Sequence, residues 1–127
     1  MNIREHYRKK SNNSENPNKN ICTLAVVEAL GCDAETRYLH RVKDVVYALR
    51  KRYTVRSRCS QIRGKSVGKI RKLCEKLANE VDSRTVYFLV RVEGHVLLLD
   101  RTGQTRVDTD PRKRDARKVK DFYIIYI

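Results

Sequence analysis

Three side chains of this sequence have the chemical types that a thiol-dependent hydrolase needs, namely Cys22, His95 and Asp108. A cysteine attacks a carbonyl carbon as its thiolate, a form that a helix N-terminus and a nearby imidazolium both favour. A histidine can carry the proton of the reaction, and a carboxylate can accept the second imidazole proton and hold the ring in place. The three residue types therefore indicate nucleophilic acyl transfer if folding brings them together.

The segment that begins at Cys22 is predicted to be a helix buried on all sides. From Cys22 to Leu30 it is almost wholly apolar, and Gly31 suits the left-handed residue that ends a helix. Asn20 is a candidate cap for the first free backbone amides. A short buried strand is the alternative, because two Val favour it, but two Ala, Leu and Glu favour the helix. In the helical interpretation, Cys22 lies at a helix N-terminus.

The last third of the chain has the composition of strands. β-Branched and aromatic residues are frequent in four short segments, which are Thr85–Val92, His95–Asp100, Thr105–Thr109 and Phe122–Ile127. Gly94 lets the backbone approach closely just before His95. Residues 101–104 form a predicted hairpin turn in which Gly103 can take a positive φ. The hairpin would return the chain so that Asp108 lies beside the strand that begins at His95.

Two further helices are predicted before these strands. The three-and-four spacing of apolar residues over Thr36–Tyr53 and Ser66–Val81 is that of one-sided helices, and Ser66 is a reasonable N-cap. The basic stretch over 54–65 has little pattern and is predicted to be a loop. Helices followed by strands indicate an α+β fold, in which N-terminal helices, one of them central and buried, pack on a C-terminal antiparallel sheet.

The first twenty residues differ from the rest of the chain in composition. Residues 1–20 contain six Asn and few apolar side chains, which predicts a flexible arm or a long ordered loop ahead of a single domain over 21–127. They hold no apolar core of a secretory signal, and no segment approaches the roughly 20 apolar residues of a membrane span. Free thiols, a cytoplasmic location and no membrane partner are therefore expected.

The four cysteines do not have the spacing of a zinc knuckle. They are Cys22, Cys32, Cys59 and Cys74, and no two of them are two to four residues apart. No metal site and no other cofactor is predicted.

Short motifs occur in a fixed order near the two ends of the domain. Asn20-Ile21-Cys22 opens the predicted helix, Val90-Arg91-Val92-Glu93-Gly94-His95 joins two strands, and Gly103 is followed by Val107-Asp108-Thr109. In these motifs and their order the chain resembles papain-like cysteine peptidases, and most closely the very small papain-like proteins found mainly in bacteriophages. Those proteins carry Asn-Asp-Cys, Val-Arg-Val-x-Gly-His, a Gly turn and Tyr-Asp-Thr before basic residues. Two positions differ here, because Ile21 replaces the aspartate and the usual upstream glutamine is missing.

The resemblance implies a papain-like fold and cleavage of a peptide, isopeptide or amide bond, with a host protein as one class of substrate and the host-cell cytoplasm as the location. It implies Cys22 as the nucleophile, His95 as the general base and Asp108 as the acid that orients the imidazole. It also implies that the backbone amide of Cys22 and an upstream polar side chain, Asn16 or Asn20, stabilise the oxyanion.

Each of the three residues also has a purely structural interpretation. Cys22 could be a small buried hydrophobic side chain, since free cysteine is among the most buried residue types. His95 could be a half-buried strand residue bonded to the backbone, and Asp108 could pair with the neighbouring Arg106. A fold that keeps the scaffold without the chemistry is a further alternative.

The strongly basic composition supports a second hypothesis from a different class. The formal net charge is +14 at pH 7, with 29 Lys plus Arg against 15 Asp plus Glu, and such a balance attracts polyanions, above all nucleic acid. The candidate contact residues are Arg50, Lys51, Arg52, Arg56, Arg58, Arg63, Lys65, Arg112, Lys113 and Arg114. The alternative function is a non-catalytic basic module that binds nucleic acid or an acidic protein, with Tyr53 either stacked on a base or capping the core.

Overall fold

An antiparallel sheet with helices on both faces organises the residues that the computed structural model describes, which are 21–32, 41–81, 85–109 and 115–127. The helices are α1 (Ile21–Ala29), α2 (Val42–Arg50), α3 (Cys59–Ile62) and α4 (Val67–Glu80). The strands are β1 (Thr54–Ser57), β2 (Val86–Val92), β3 (His95–Asp100), β4 (Thr105–Val107) and β5 (Asp121–Tyr126). The predicted α+β class with an antiparallel sheet is confirmed, whereas the arm predicted over residues 1–20 lies outside the described residues.

The sheet has the strand order β1-β5-β2-β3-β4, so β2 lies at its centre between β5 and β3. On β2, Phe88 pairs with Leu99 of β3 on one side and with Ile124 of β5 on the other. The inner part of β3, from Val96 to Leu99, is buried without interruption. An uninterrupted apolar strand is typical of a sheet that is covered on both faces.

Two hydrophobic clusters fill the space between the sheet and its helices. In the first cluster, on one face of the sheet, α1 and α2 pack against a set of strand residues that includes Leu89, Leu98 and Ile125. In the second cluster, on the other face, α3 and α4 pack against a set that includes Phe88 and Phe122, whose rings stack with centroids 5.4 Å apart. The sheet is therefore the middle layer of three, and α1 is fixed against one side of it.

Helix α1 confirms the prediction of a buried helix over Thr23 to Val27, whereas Ala29 at its end is exposed. Ala25, Val26 and Val27 have no exposed surface, and Gly31 ends the segment with a φ of +72°. Burial of three successive residues suits a helix enclosed between α2 and the sheet rather than an amphipathic surface helix. The strand alternative for this segment was wrong.

Helix α2 is shorter than predicted. Arg41 is extended, with φ −133° and ψ 164°, and its backbone N–H donates to the Asp44 carboxylate at 2.9 Å, so the helix begins at Val42 rather than Thr36. Beyond the C-terminal end of the helix, the Tyr53 hydroxyl donates to the Leu30 carbonyl at 2.7 Å. The ring of Tyr53 packs against the first cluster, so this residue caps the core, as one of the two interpretations predicted.

The loop predicted over 54–65 was wrong, because the segment contains β1 and α3. The sequence signal was weak, since only Val55 of the four β1 residues is buried. β1 instead takes its structure from pairing with β5, as in the match of Thr54 with Tyr126 far along the chain. The Arg50 guanidinium donates to the Val55 carbonyl at 3.1 Å, which satisfies a backbone acceptor on this edge strand.

The other predicted elements are confirmed within one or two residues at their ends, a normal uncertainty for element boundaries. Helix α4 begins after Ser66, whose hydroxyl accepts a hydrogen bond from the Lys69 backbone N–H at 3.3 Å, as expected of an N-cap. The hairpin turn between β3 and β4 contains Gly103 with φ +85°. Among the described residues, no helix combines the length and the apolar character that crossing a bilayer requires.

Candidate active site

A short hydrogen bond joins His95 and Asp108 at the open end of the β3–β4 hairpin. His95 is the first residue of β3, and Asp108 directly follows the last residue of β4. The Nε2 atom of the imidazole lies 2.6 Å from Oδ1 of the carboxylate. The two side chains are only 14% and 13% exposed, so the pair is largely shielded from water. The hairpin thus brings together two of the three residues that the sequence singled out.

Cys22 reaches the same imidazole from helix α1. It is the second residue of the helix and is half-buried against the first cluster. Burial alone would lower the pKa of His95, but its hydrogen bonds with Asp108 and Cys22 and the electrostatic effect of these two groups outweigh burial, and raise the pKa from 6.5 to about 9. The imidazole is therefore mainly protonated at neutral pH, with the sulfur of Cys22 on one side and the carboxylate of Asp108 on the other.

Asp108 has a further partner that the sequence reasoning missed. Its second oxygen, Oδ2, lies 3.5 Å from Nη2 of Arg117, a side chain that is 16% exposed. The alternative partner considered from the sequence, Arg106, is an exposed residue of β4. Burial would raise the pKa of Asp100, but hydrogen bonds from Thr102 and Gln104, with a smaller effect from the charge of Arg106, lower it. In the sequence Arg117 is one member of a basic run, and nothing in the pattern distinguishes it from its neighbours.

The candidates for an oxyanion site are only partly described. Asn16 and Asn20 both lie outside the described residues, and so does the cap that Asn20 was expected to provide. Cys22 lies in the first turn of α1, where backbone N–H groups have no partner within the helix. Its own amide is therefore suited to donate to a developing oxyanion.

No metal site emerges in the described part of the chain, since no group of three or more His, Cys, Asp and Glu side chains could hold an ion there.

The other three thiols have surroundings different from those of Cys22. Cys32 and Cys74 are buried, and burial raises the pKa of Cys74 to about 12 despite the nearby charge of Arg71. Cys59 is half-buried at the start of α3, where its sulfur lies 3.6 Å from an Asp121 carboxylate oxygen. All four cysteines are free thiols.

Several of the predicted nucleic-acid contacts have structural roles. Arg50, Arg52 and Arg63 donate to the backbone carbonyls of Val55, Gly31 and Lys120, respectively. Arg56 lies over the Tyr126 ring at 5.9 Å and Arg58 donates to Gln61, whereas Lys51 and Lys65 are exposed. Arg112, Lys113 and Arg114 lie outside the described residues. A hydrogen-bonded guanidinium keeps its charge, so the described arginines still contribute to a basic surface.

Base stacking by Tyr53 is not available in this conformation, because its ring belongs to the core and its hydroxyl is bonded to Leu30.

Comparison of the chain with family models, with curated proteins and with solved structures gave no match. The inference of function therefore depends on the contacts of Cys22, His95 and Asp108.

Proposed function

We propose that the protein is a papain-like thiol hydrolase of bacteriophage origin, which cleaves a peptide, isopeptide or amide bond in the cytoplasm of its host. The observation that carries the proposal is the position of His95, which is hydrogen-bonded to Asp108 at 2.6 Å and to the sulfur of Cys22. A helix bearing the thiol, packed on an antiparallel sheet bearing the imidazole and the acid, supports the papain-like assignment.

The proposed reaction begins when the Cys22 thiolate attacks the carbonyl carbon of the scissile bond. The carbonyl electrons move to oxygen, and the backbone amide of Cys22 with Asn16 or Asn20 stabilises the negative charge. When the tetrahedral intermediate collapses, the bond to nitrogen breaks, and the His95 imidazolium gives its proton to the departing amine. A thioester and a neutral imidazole remain.

Hydrolysis of the thioester returns the enzyme to its starting state. The neutral His95 imidazole removes a proton from water as the water oxygen attacks the thioester carbonyl. Collapse of this second intermediate releases a carboxylic acid and the Cys22 thiolate, now beside the protonated imidazole. Since Asp108 holds Nε2, the other ring nitrogen, Nδ1, is left to face the sulfur and exchange the proton.

The experiment that tests this proposal measures the rate of Cys22 alkylation by iodoacetamide near neutral pH, with peptide mass spectrometry to locate the label. A thiolate paired with an imidazolium should react at least about tenfold faster than an ordinary cysteine, which is only a few per cent ionised at pH 7. The advantage should disappear in His95→Ala. Glu93→Ala is the matched control, because Glu93 lies two residues away, its side chain is 89% exposed and its partner is Lys120 rather than a residue of the site.

Equal labelling of Cys22 in the parent protein and in His95→Ala would contradict the proposal, provided that both proteins are folded by circular dichroism. So would labelling of Cys22 no faster than that of Cys59, the other half-buried thiol.

The second candidate function is a non-catalytic module that binds nucleic acid or an acidic protein. The specific observation in its favour is the formal charge of +14 together with exposed Lys51, Lys65 and Lys69. Retention on DNA or RNA should then fall log-linearly with salt, and each lost phosphate contact should reduce the slope by about 0.7–0.9.

The appropriate variant for that test changes these three lysines to glutamine. Arg50 and Arg52 are avoided because they also support backbone carbonyls, so their loss would disturb the fold. Nucleic acid would be removed as the partner if retention were absent at low salt or unchanged by the triple substitution. Binding to an acidic protein alone would favour a module that recognises such a protein.

A further inference from the structure

We infer that Arg117 is a positioning residue that holds Asp108 so that one carboxylate oxygen faces His95. The inference rests on the proposed hydrolase function, because it assigns Arg117 a role in the same reaction. It starts from the two oxygens of Asp108, of which Oδ1 lies 2.6 Å from the imidazole and Oδ2 lies 3.5 Å from the guanidinium.

The backbone around Asp108 gives the side chain limited support. β4 has only three residues and ends at Val107, immediately before Asp108. The pairing of β3 with β4 is also irregular, with a shift of register between Leu98 and Leu99. A carboxylate just beyond a short, irregular edge strand needs a side-chain partner to keep one orientation, and Arg117 is placed to be that partner.

Arg117 is itself anchored through its backbone to helix α4. Its carbonyl accepts a hydrogen bond from the Val67 backbone N–H at 2.9 Å, and the Asp115 carbonyl accepts one from Gly68 at 2.9 Å. These two hydrogen bonds, together with the β-bridge between Lys118 and Ser66, fix residues 115–118 at the start of the helix. Arg117 therefore connects the His95–Asp108 pair to an element on the opposite face of the sheet.

The side chains of His95, Asp108 and Arg117 are each at most 16% exposed. Ion pairs that are shielded from water are stronger than exposed ones, and a planar guanidinium restricts a carboxylate geometrically. These properties are what a residue needs in order to fix the rotamer of Asp108.

Two possible effects of Arg117 on His95 have opposite signs. A guanidinium acting only as a positive charge would oppose protonation of the imidazole, so its removal would raise the pKa of His95. A guanidinium that positions Asp108 favours the hydrogen bond which keeps the imidazole protonated, so its removal would lower that pKa. The groups that face the imidazole are Cys22 from α1 and Asp108 after β4, and Arg117 acts through Asp108.

The experiment measures the pKa of His95 by NMR titration of the imidazole protons in the parent protein and in Arg117→Ala. We expect the pKa to fall by about one pH unit, equivalent to a tenfold change in the protonation equilibrium. Cys22 alkylation should slow by a similar factor. Lys118→Ala is the matched control, since it removes the same charge from an exposed neighbouring position and should leave both readouts unchanged.

A second variant, Arg117→Lys, keeps the charge but loses the planar fork, and it serves if Arg117→Ala does not fold. The hydrogen bond from Val67 to the carbonyl of residue 117 is made by the backbone, so either substitution leaves it in place. We expect the lysine variant also to lower the pKa of His95.

An unchanged or higher pKa of His95 in the folded Arg117 variants would overturn the positioning role. That result would leave the hydrolase proposal intact as long as Cys22 alkylation in the parent protein still depends on His95. If Cys22 alkylation is instead as fast in His95→Ala as in the parent protein, the hydrolase proposal itself is refuted.

Discussion

The imidazole Nε2 of His95 lies 2.6 Å from Oδ1 of Asp108, although 13 positions separate the two residues in the chain. The β3–β4 hairpin closes this separation, because it places the start of one strand beside the end of the next. A bond of this length between a carboxylate and an imidazole is a charge-assisted hydrogen bond, which is about twice as strong as a neutral one. It holds the ring in a single orientation toward Cys22.

Replacement of Asp108 by Asn should slow the alkylation of Cys22 at neutral pH by about tenfold, because a neutral amide stabilises the imidazolium less than a carboxylate does. Pseudo-first-order rates with iodoacetamide measure the effect. Asp115→Asn is the matched control, since this exposed carboxylate pairs with Arg71 rather than with the imidazole. Equal rates in the parent protein and Asp108→Asn would contradict the prediction.

The free energy of unfolding should depend on pH through His95. Because the pKa of His95 is raised from 6.5 to about 9 in the folded protein, protonation of the imidazole stabilises the fold. This contribution is complete below the unfolded pKa of 6.5 and is lost as the pH rises through about 9. Urea unfolding across this range should show the loss in the parent protein and a flatter dependence in His95→Gln. The prediction fails if both proteins lose stability in parallel.

Cys74 should resist thiol reagents as long as the protein is folded. Its side chain is fully buried and burial raises its pKa to about 12, so almost no thiolate is present at neutral pH. Mass spectrometry after labelling with and without urea should find Cys74 modified only in the unfolded sample. In the folded protein, the labelling rate of Cys59 should lie between those of Cys74 and Cys22. Rapid labelling of Cys74 in native buffer would show that the second cluster opens readily.

Replacement of Gly103 by Ala should destabilise the protein much more than replacement of Gly64. Both glycines have a positive φ, +85° and +88°, but a Cβ at Gly103 would lie 2.2 Å from the Arg71 carbonyl oxygen, whereas Gly64 has open space. The backbone strain alone costs about 1–2 kcal/mol, and the clash should bring the total for Gly103→Ala above about 3 kcal/mol. Denaturant midpoints of the two variants compare these costs, and equal midpoints would contradict the prediction.

The sequence was sufficient where local pattern and tertiary environment agree. The segment after Cys22 is almost wholly apolar, and every residue from Thr23 to Val27 is buried. Ser66 has a side chain that accepts from a helix amide, and it caps α4. The strand from His95 to Asp100 was predicted with the bounds it has, because its apolar run is flanked by a Gly turn at each end.

The sequence was insufficient where structure depends on distant partners. β1 has a single buried residue, Val55, and its conformation is fixed by β5, about 70 residues later in the chain. The start of α2 was predicted too early because the apolar spacing of the sequence begins before Arg41, whereas Arg41 itself is extended and the helix begins at Val42.

For the candidate site, residue type and order were enough to select His95 and Asp108 as partners, but not Arg117. A short hairpin gives a geometric reason to expect the first pair to meet. Arg117 approaches from a different segment, and its neighbours in the sequence have the same charge, so only the tertiary fold distinguishes it.

The turn of the β3–β4 hairpin is seated against helix α4, where Gly103 is buried and its carbonyl accepts a hydrogen bond from the Arg71 guanidinium at 3.0 Å. Because this contact holds the turn against α4, the length of the hairpin between His95 and Asp108 is fixed. Adding or deleting one residue in the turn would either unseat it from the helix or slide one strand past the other, and such a slide reverses the direction of every side chain that follows. Apart from Gly103, the composition of this turn can therefore vary far more freely than its length.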